Sequence, residues 1–209
     1  VRDSALYPIV FMVLLAAVYG AAVSSVAVAT KDRVEAGEKA RLRTHVLAAF
    51  GLETPADPAA VDRVWSRSVE EKSDEKGRYY VGRGTGGELL GYGFPFTGPG
   101  FWGPISGVVA VDRAGSRIVG ISFTRHQETP GLGGRISEAW FRDQFRGKPI
   151  DVPAGGGEPL RFVYRKPEGP REVEAITGAT QTSSRLDKFL NPFLAGLRDR
   201  AAVRAGGGT

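Results

Sequence analysis

Residues 174–183 read Glu174-Ala175-Ile176-Thr177-Gly178-Ala179-Thr180-Gln181-Thr182-Ser183, and they decide how the rest of the chain is understood. The stretch stands immediately ahead of a helical pattern, Ser183 to Arg200. There Leu186, Phe189, Leu190, Phe193 and Leu197 recur on one face, and Pro192 is expected to bend or break the helix. Side-chain hydroxyls and the unpaired N–H groups of a helix start therefore converge at Thr177 to Ser183, which suits an anion. The same residues also fit an ordinary helix cap, with Thr182 or Ser183 satisfying the first turn and nothing bound. On local chemistry alone the cap is the commoner outcome.

Upstream, Leu160 to Tyr164 reads as a strand and 151–159 as a Pro/Gly loop. Ser137 to Phe145 has the spacing of an amphipathic helix, with Ile136, Trp140 and Phe141 at core positions and Gly147 as its stop. Before it lies Gln127-Glu128-Thr129-Pro130-Gly131-Leu132-Gly133. Pro130 stiffens that turn, and Gly131 and Gly133 allow backbone N–H groups to approach a flat ligand. A plain tight turn between strand and helix explains the same residues about as well.

Val108 to Asp112 and Arg117 to Phe123 form a hairpin pattern, preceded by a rigid Gly/Pro/aromatic loop that starts at Phe96 and contains Trp102. Arg78 to Val81 and Glu88 to Phe94 read as strands, and Lys72 to Gly77 as a polar turn. The glycines at 82–87 lack both the P-loop ending and the Rossmann spacing, so they carry no phosphate-binding argument. Val61, Val64, Trp65 and Val69 suggest a short amphipathic helix, and residues 31–50 another. The sum is an α+β domain.

Residues 4–30 contain no charged side chain, and Ile9 to Val28 is almost continuously apolar, enough to span about 30 Å of hydrocarbon as a helix. A transmembrane anchor is the expectation. A cleaved signal peptide with Ala27-Val28-Ala29 as its A-x-A site and a buried core helix are the alternatives. Lys31, Arg33, Lys39, Arg41 and Arg43 follow the span and only Arg2 precedes it. Read literally, that charge asymmetry places the following domain in the cytoplasm. The expected organisation is an anchor at 1–30, a helical linker region at 31–74, a domain at 75–198 and a disordered tail at 199–209.

The chain has no cysteine, which removes disulfides, iron–sulfur ligation and thiolate catalysis. Its two histidines, His45 and His126, make a His-rich metal centre improbable, and no metal is expected. His126 is expected as a hydrogen-bonding structural histidine and Trp65 as core. The net charge of +5 is spread over mixed acidic and basic residues, without a basic stripe or a nucleic-acid motif, so no nucleic-acid partner is expected.

Glu174, Thr177-Gly178-Ala179-Thr180, Thr182 and Ser183 resemble the flavinylation motif of the FMN-carrying subunits of sodium-pumping NADH:quinone reductase (NqrC) and of the Rnf ferredoxin:NAD oxidoreductase (RnfG). Glu174 departs from the usual Asp. Glu128-Thr129-Pro130-Gly131-Leu132-Gly133 matches a second motif of that family without a mismatch, about fifty residues upstream as expected. Softer likenesses run through Gly100 to Ile105, Gly115 to Ile121 and Trp140 to Lys148.

The resemblance implies FMN bound covalently through its phosphate to Thr180, with Thr177, Gly178, Ala179, Thr182 and Ser183 around the attachment. It implies Glu128 and Thr129 near the polar edges of the isoalloxazine, beside Gly131, Leu132 and Gly133. Trp102 is a candidate for the flavin face, and Lys148 for offsetting charge on the reduced ring. It also implies an FAD-dependent flavinyltransferase for maturation and partner subunits in an Rnf- or Nqr-type membrane complex. It places a single-pass protein in the inner membrane with its FMN domain on the periplasmic, extracytoplasmic side, against the charge asymmetry. No paired acid and base and no nicotinamide fingerprint are present, so the expected role is electron relay without catalysis by the chain alone. Two rivals remain: a freestanding anchored flavoprotein, and an anchored binding or assembly domain without flavin.

Overall fold

The computed structural model describes residues 6–153 and 156–206, without the side chains of 199 and 202–206. Arg2, the middle of the expected 151–159 loop and residues 207–209 of the expected tail lie outside the described residues.

The first element, α1 (Leu6–Phe50), is a single helix of 45 residues. From Leu6 to Lys39 its side chains are all exposed, although Leu6 to Val28 is rich in Val, Ala and Leu. It is long and apolar enough to cross a membrane. Residues 1–40 form one compact unit and 41–209 the other.

The second unit is built on a five-stranded antiparallel meander. Its strands, in spatial order, are β1 (Val69–Asp74), β2 (Gly77–Arg83), β3 (Leu89–Pro99), β4 (Pro104–Asp112) and β5 (Ile118–Arg125). Side chains alternate across a strand, so each central strand feeds two cores. Along β4, Ile105, Val109 and Val111 enter one core while Val108 and Ala110 enter the other. This double burial explains why Val108 to Val111 reads as an unbroken apolar run.

One face is covered by the last turns of α1, with Val46, Leu47 and Phe50, and by α2 (Pro58–Ser68), with Val61, Val64 and Trp65. The α2 start follows from sequence: Asp57 accepts hydrogen bonds from the Ala59 and Ala60 amides at 3.2 and 3.1 Å, and Pro58 occupies the first turn. The other face is covered by a 3-10 turn (Gly133–Ser137), α3 (Ala139–Asp143) and α4 (Thr180–Gly206). There Phe96 meets Phe123, Phe189 and Phe193 at 5.9, 5.9 and 5.8 Å between ring centroids. Truncating such a residue to alanine costs about 3–5 kcal/mol. A short parallel pair, β6 (Arg161–Val163) with β7 (Glu172–Glu174), leads into α4.

Several expectations are corrected. The segment 31–74 is not a linker from Arg41 onward, because it supplies the second core and the edge strand β1. Lys72 to Asp74, read as a turn, belong to that strand; its charged side chains are tolerated because an edge strand faces solvent. Phe96 to Pro99, read as loop, extend β3. The helix expected at 137–145 is split into the 3-10 turn and the short α3.

The helix expected from Ser183 begins three residues earlier, at Thr180, and continues through Pro192 to Gly206. The part of the expected disordered tail from 199 to 206 is therefore helical. Arg200 explains the continuation: its guanidinium donates to the Asp74 carboxylate at 2.7 and 3.0 Å and to the Gly77 carbonyl, and lies 4.8 Å from the centroid of Phe94. Ala201 beside it is fully buried.

Candidate functional site

The α4 start is shaped by the turn before it. Gly178 has φ +81, a left-handed conformation that side chains resist, and it directs the chain into the helix at Thr180. The Ala179 amide donates to the Ile176 carbonyl at 3.0 Å, and the Ser183 amide to the Ala179 carbonyl at 3.0 Å. The Ser183 hydroxyl accepts from the Ile176 amide at 3.1 Å, closing the turn on itself. Ile176 is buried beneath, whereas Thr180 is exposed at the first helical position. The amides of that first turn have no acceptor within the helix.

A cavity of about 320 Å³ opens beside Thr180. Gly178, Ala179, Thr180, Gln181 and Thr182 form one wall, Glu128, Thr129, Leu132 and Gly133 another, and Phe101 and Trp102 the lip. The two motifs, some fifty residues apart in sequence, thus face each other across one cleft.

Glu128 joins these walls. It is 4% exposed. One carboxylate oxygen accepts from the Phe101 and Trp102 amides at 2.7 and 3.2 Å. The other accepts from the Thr182 hydroxyl at 2.5 Å. Gly133 permits this contact: a Cβ there would lie 2.4 Å from Thr182 Oγ1 and 2.7 Å from Glu128 Oε2. Thr129 holds the lip from outside, its hydroxyl accepting from the Trp102 indole N–H at 3.1 Å. Trp102 is nevertheless 63% exposed and Phe101 43%.

His126 supports the same loop. Its Nδ1 accepts from the Glu128 amide at 3.3 Å, which assigns the proton to Nε2 and makes that nitrogen the donor to the Ser137 hydroxyl at 2.9 Å. At the other end of the 174–183 stretch, the Glu174 amide donates to the Gln144 side chain at 2.7 Å, tying the turn to the end of α3.

Seven of the sequence-derived candidates therefore line the cavity together with Trp102: Gly178, Ala179, Thr180, Thr182, Thr129, Leu132 and Gly133, around the Glu128 hub. Thr177, Gly131 and Ser183 adjoin it without being among its lining residues. Lys148 is elsewhere: its half-buried ammonium lies 3.5 Å from the Pro170 carbonyl, and burial lowers its pKa against the opposing pull of Glu172. Sequence reasoning did not single out Phe101, Gln181 or Tyr164. Phe101 and Gln181 adjoin motif residues. Tyr164 gave no signal, because the β6–β7 pairing brings its hydroxyl within 3.4 Å of the Thr180 carbonyl.

Two turns along α4, Asn191 donates to Asp187 at 2.7 Å and to Glu158 at 3.3 Å. Burial, with the Glu158 charge, raises the Asp187 carboxyl to about 6. In the β6–β7 region Glu172 accepts from the Glu168 amide at 2.9 Å and from Arg161 and Arg165, and those contacts hold its carboxyl at about 2. Among the described residues no group of three or more acidic or histidine side chains forms a metal site.

The FMN-binding domain family matches residues 100–194, which contain both walls and the lip. The RnfG component of the Na+-translocating ferredoxin:NAD+ oxidoreductase complex of Acetobacterium woodii is 33% identical over 181 residues, covering 81% of this chain and 83% of that protein. The NqrC component of the Na+-translocating NADH-quinone reductase of Yersinia pestis is 35% identical over 133 residues, covering 58% of this chain and 50% of that protein. The chain thus spans about half the length of that relative. The crystal structure of NqrC from Shewanella oneidensis superposes with a TM-score of 0.67 at 19% identity, covering 80% of this chain and 98% of that one, a likeness in fold.

Proposed function

Because the chain belongs to the family of FMN-binding subunits that includes NqrC and RnfG, we propose that it carries FMN esterified through its phosphate to Thr180 and relays electrons within an Rnf- or Nqr-type membrane complex. Bound FMN supplies reversible electron carriage, which no side chain of this sequence offers. The observation that carries the reading is the exposed Thr180 hydroxyl at the first position of α4, on the rim of a cavity walled by both family motifs.

The residues fit such a cofactor. The first-turn amides and the positive end of α4 suit a phosphodiester at Thr180. Trp102, Phe101 and Leu132 offer apolar surface to a flat ring system, and Thr129 and Gln181 offer polar groups at its edge. Glu128 has its carboxylate oxygens engaged by Phe101, Trp102 and Thr182, so its role is to position the lip against α4. At about 320 Å³ the cavity is at the lower end of the roughly 300–1,000 Å³ of ligand sites, and it is open. A ring held there stands partly in solvent, which suits exchange of electrons with another protein's redox centre.

The helix α1 is read as a single-pass anchor with the FMN domain on the extracytoplasmic side. A phosphodiester keeps the cofactor there, where dissociated FMN would be lost. Maturation requires a flavinyltransferase with FAD as the activated donor, since threonine alone is a weak nucleophile. The remaining parts of the complex are other membrane subunits, and the apolar span has no internal charge with which to conduct ions.

Peptide mass spectrometry after co-expression with a flavinyltransferase tests the attachment. Cleavage after Arg171 and Arg185 releases one peptide containing Thr177, Thr180 and Thr182. The expected result is a gain of FMN less water on Thr180. An unmodified peptide from a co-expression of verified activity would refute the covalent reading.

A further inference from the structure

A second cavity of about 320 Å³ adjoins the first across Gln181 and is lined by Pro99, Gln181, Ser184, Arg185, Lys188 and Phe189. Its floor is fixed, since Phe189 packs on Phe96 in the core. Its outer edge is cationic. Arg185 and Lys188 are exposed, and neither enters an ion pair among the described residues. Arg185 reaches from this groove toward the first cavity, its guanidinium carbon lying 5.9 Å from the centroid of Phe101 on the lip.

The surroundings of Thr180 are also unusually apolar. Outside α1 the exposed large hydrophobic side chains among the described residues are Phe101, Trp102, Leu132, Val152 and Tyr164. All but Val152 border the first cavity or, in the case of Tyr164, reach Thr180 itself. Lys188 feels the adjacent Asp187 charge without closing an ion pair with it, and an apolar collar with exposed cations on one flank is the composition of an interface, not of a solvated surface.

We infer that this collar and the Arg185–Lys188 groove together form the electron-exchange face, and that the redox partner is a protein that meets it with carboxylates on the groove side and an apolar centre over Phe101 and Trp102. The inference deepens the flavoprotein reading and rests on it for the electron-exchange role. Charge complementarity here steers encounter and sets orientation. Acidic side chains of the partner would occupy the groove beside Arg185 and Lys188, and its apolar centre would cover Phe101 and Trp102, where bound FMN would supply the electron exchange.

Two measurements on the full-length chain test this, both comparing the parent with an Arg185→Gln/Lys188→Gln double variant and with Arg63→Gln, a control on α2 across the sheet. The first needs no flavin. In a Thr180→Ala background, Trp102 fluorescence is quenched with iodide or caesium at constant ionic strength, and the Trp102 contribution is isolated by subtracting the Trp102→Phe signal. Iodide is expected to outperform caesium, and the double variant to lower iodide quenching about threefold while caesium quenching rises.

The second uses flavin-loaded protein reduced anaerobically with dithionite and freed of excess reductant. Each reduced flavin then passes two electrons to two ferricyanide ions and releases its protons. The ferricyanide rate is expected to fall about tenfold in the double variant at low salt, to lose that difference at high salt, and to stay unchanged in Arg63→Gln. The cationic oxidant hexaammineruthenium(III) should show the opposite trend. Quenching and rates that ignore the double substitution, or that respond equally to Arg63→Gln, would overturn the inference. Protein that carries no flavin would instead overturn the proposed function and leave the iodide and caesium result to decide the groove.

Discussion

Glu128 is the residue whose removal tests the architecture of the site most directly. Glu128→Ala withdraws the acceptor from three donors, the Phe101 and Trp102 amides and the Thr182 hydroxyl. The two amides sit on an exposed lip and can turn to water, so their loss is small. The Thr182 hydroxyl is on a residue 3% exposed and has no such recourse. A buried donor left unpaired costs about 1–3 kcal/mol, and loss of charge-assisted bonds adds to it, so about 3 kcal/mol is expected. For a domain of this size that lowers Tm by about 6–12 °C.

Glu128→Gln retains an oxygen for the two amides and turns an NH2 toward Thr182 Oγ1, which can accept. It should cost about 1 kcal/mol. Thermal unfolding followed by circular dichroism measures both variants, and a cycle with Thr182→Val isolates the pair, with an expected coupling of about 1–2 kcal/mol. Additive single and double variants, or an alanine variant as stable as the parent, would refute the hub. So would a Gln variant that leaves stability and Trp102 fluorescence unchanged while displacing the flavin potential, because Glu128 would then act on the ring and not on the lip.

Thr180→Ala should abolish covalent flavin, read as loss of colour from denatured, washed protein, while stability stays within about 0.5 kcal/mol because the hydroxyl is exposed. Gly133→Ala forces a methyl against Thr182 and Glu128 and should cost about 1–3 kcal/mol in chemical denaturation, with loosened flavin binding. Asp187 has a folded pKa of about 6 against an ordinary 3.8, so the folded state holds the extra proton and stability falls as pH rises between those values. The full rise would correspond to about 3 kcal/mol, and the half-exposed setting reduces it to about 1 kcal/mol. Asp187→Asn should therefore raise Tm at pH 7 and lose that advantage below pH 4. Glu172 has the opposite sign: its stabilisation is present above its ordinary 4.5 and lost as pH falls toward about 2. Glu172→Gln should accordingly destabilise at pH 7, with the difference closing in acid.

The sequence made the site more legible than the frame that holds it. Both walls of the cavity were visible because glycine, proline and hydroxyl residues at fixed spacing dictate turns whatever surrounds them. The apolar span was visible because lipid-scale hydrophobicity needs no tertiary context. Strand β1 was not, since Glu70, Glu71, Lys72 and Ser73 carry no strand-like alternation, and only pairing with β2 makes them extended. The true start of α4 was hidden because Thr180 and Thr182 are indifferent helix formers, and the start is fixed by Gly178 and the Ser183 hydroxyl. The helical continuation past Arg200 depended on Asp74, more than a hundred residues away. Lys148 looked usable beside its motif neighbours, but the turn after α3 carries it toward Pro170.

The alternation of β4 between two cores has a mechanical consequence. The last turns of α1 and α2 press on one face of the sheet, while α4, with Thr180 at its head, rests on the other. A change in the packing of the α1–α2 layer is therefore carried toward the α4 side through β4, whose residues belong to both cores. The meander is thus the shared wall between the α1–α2 layer and the cleft at Thr180.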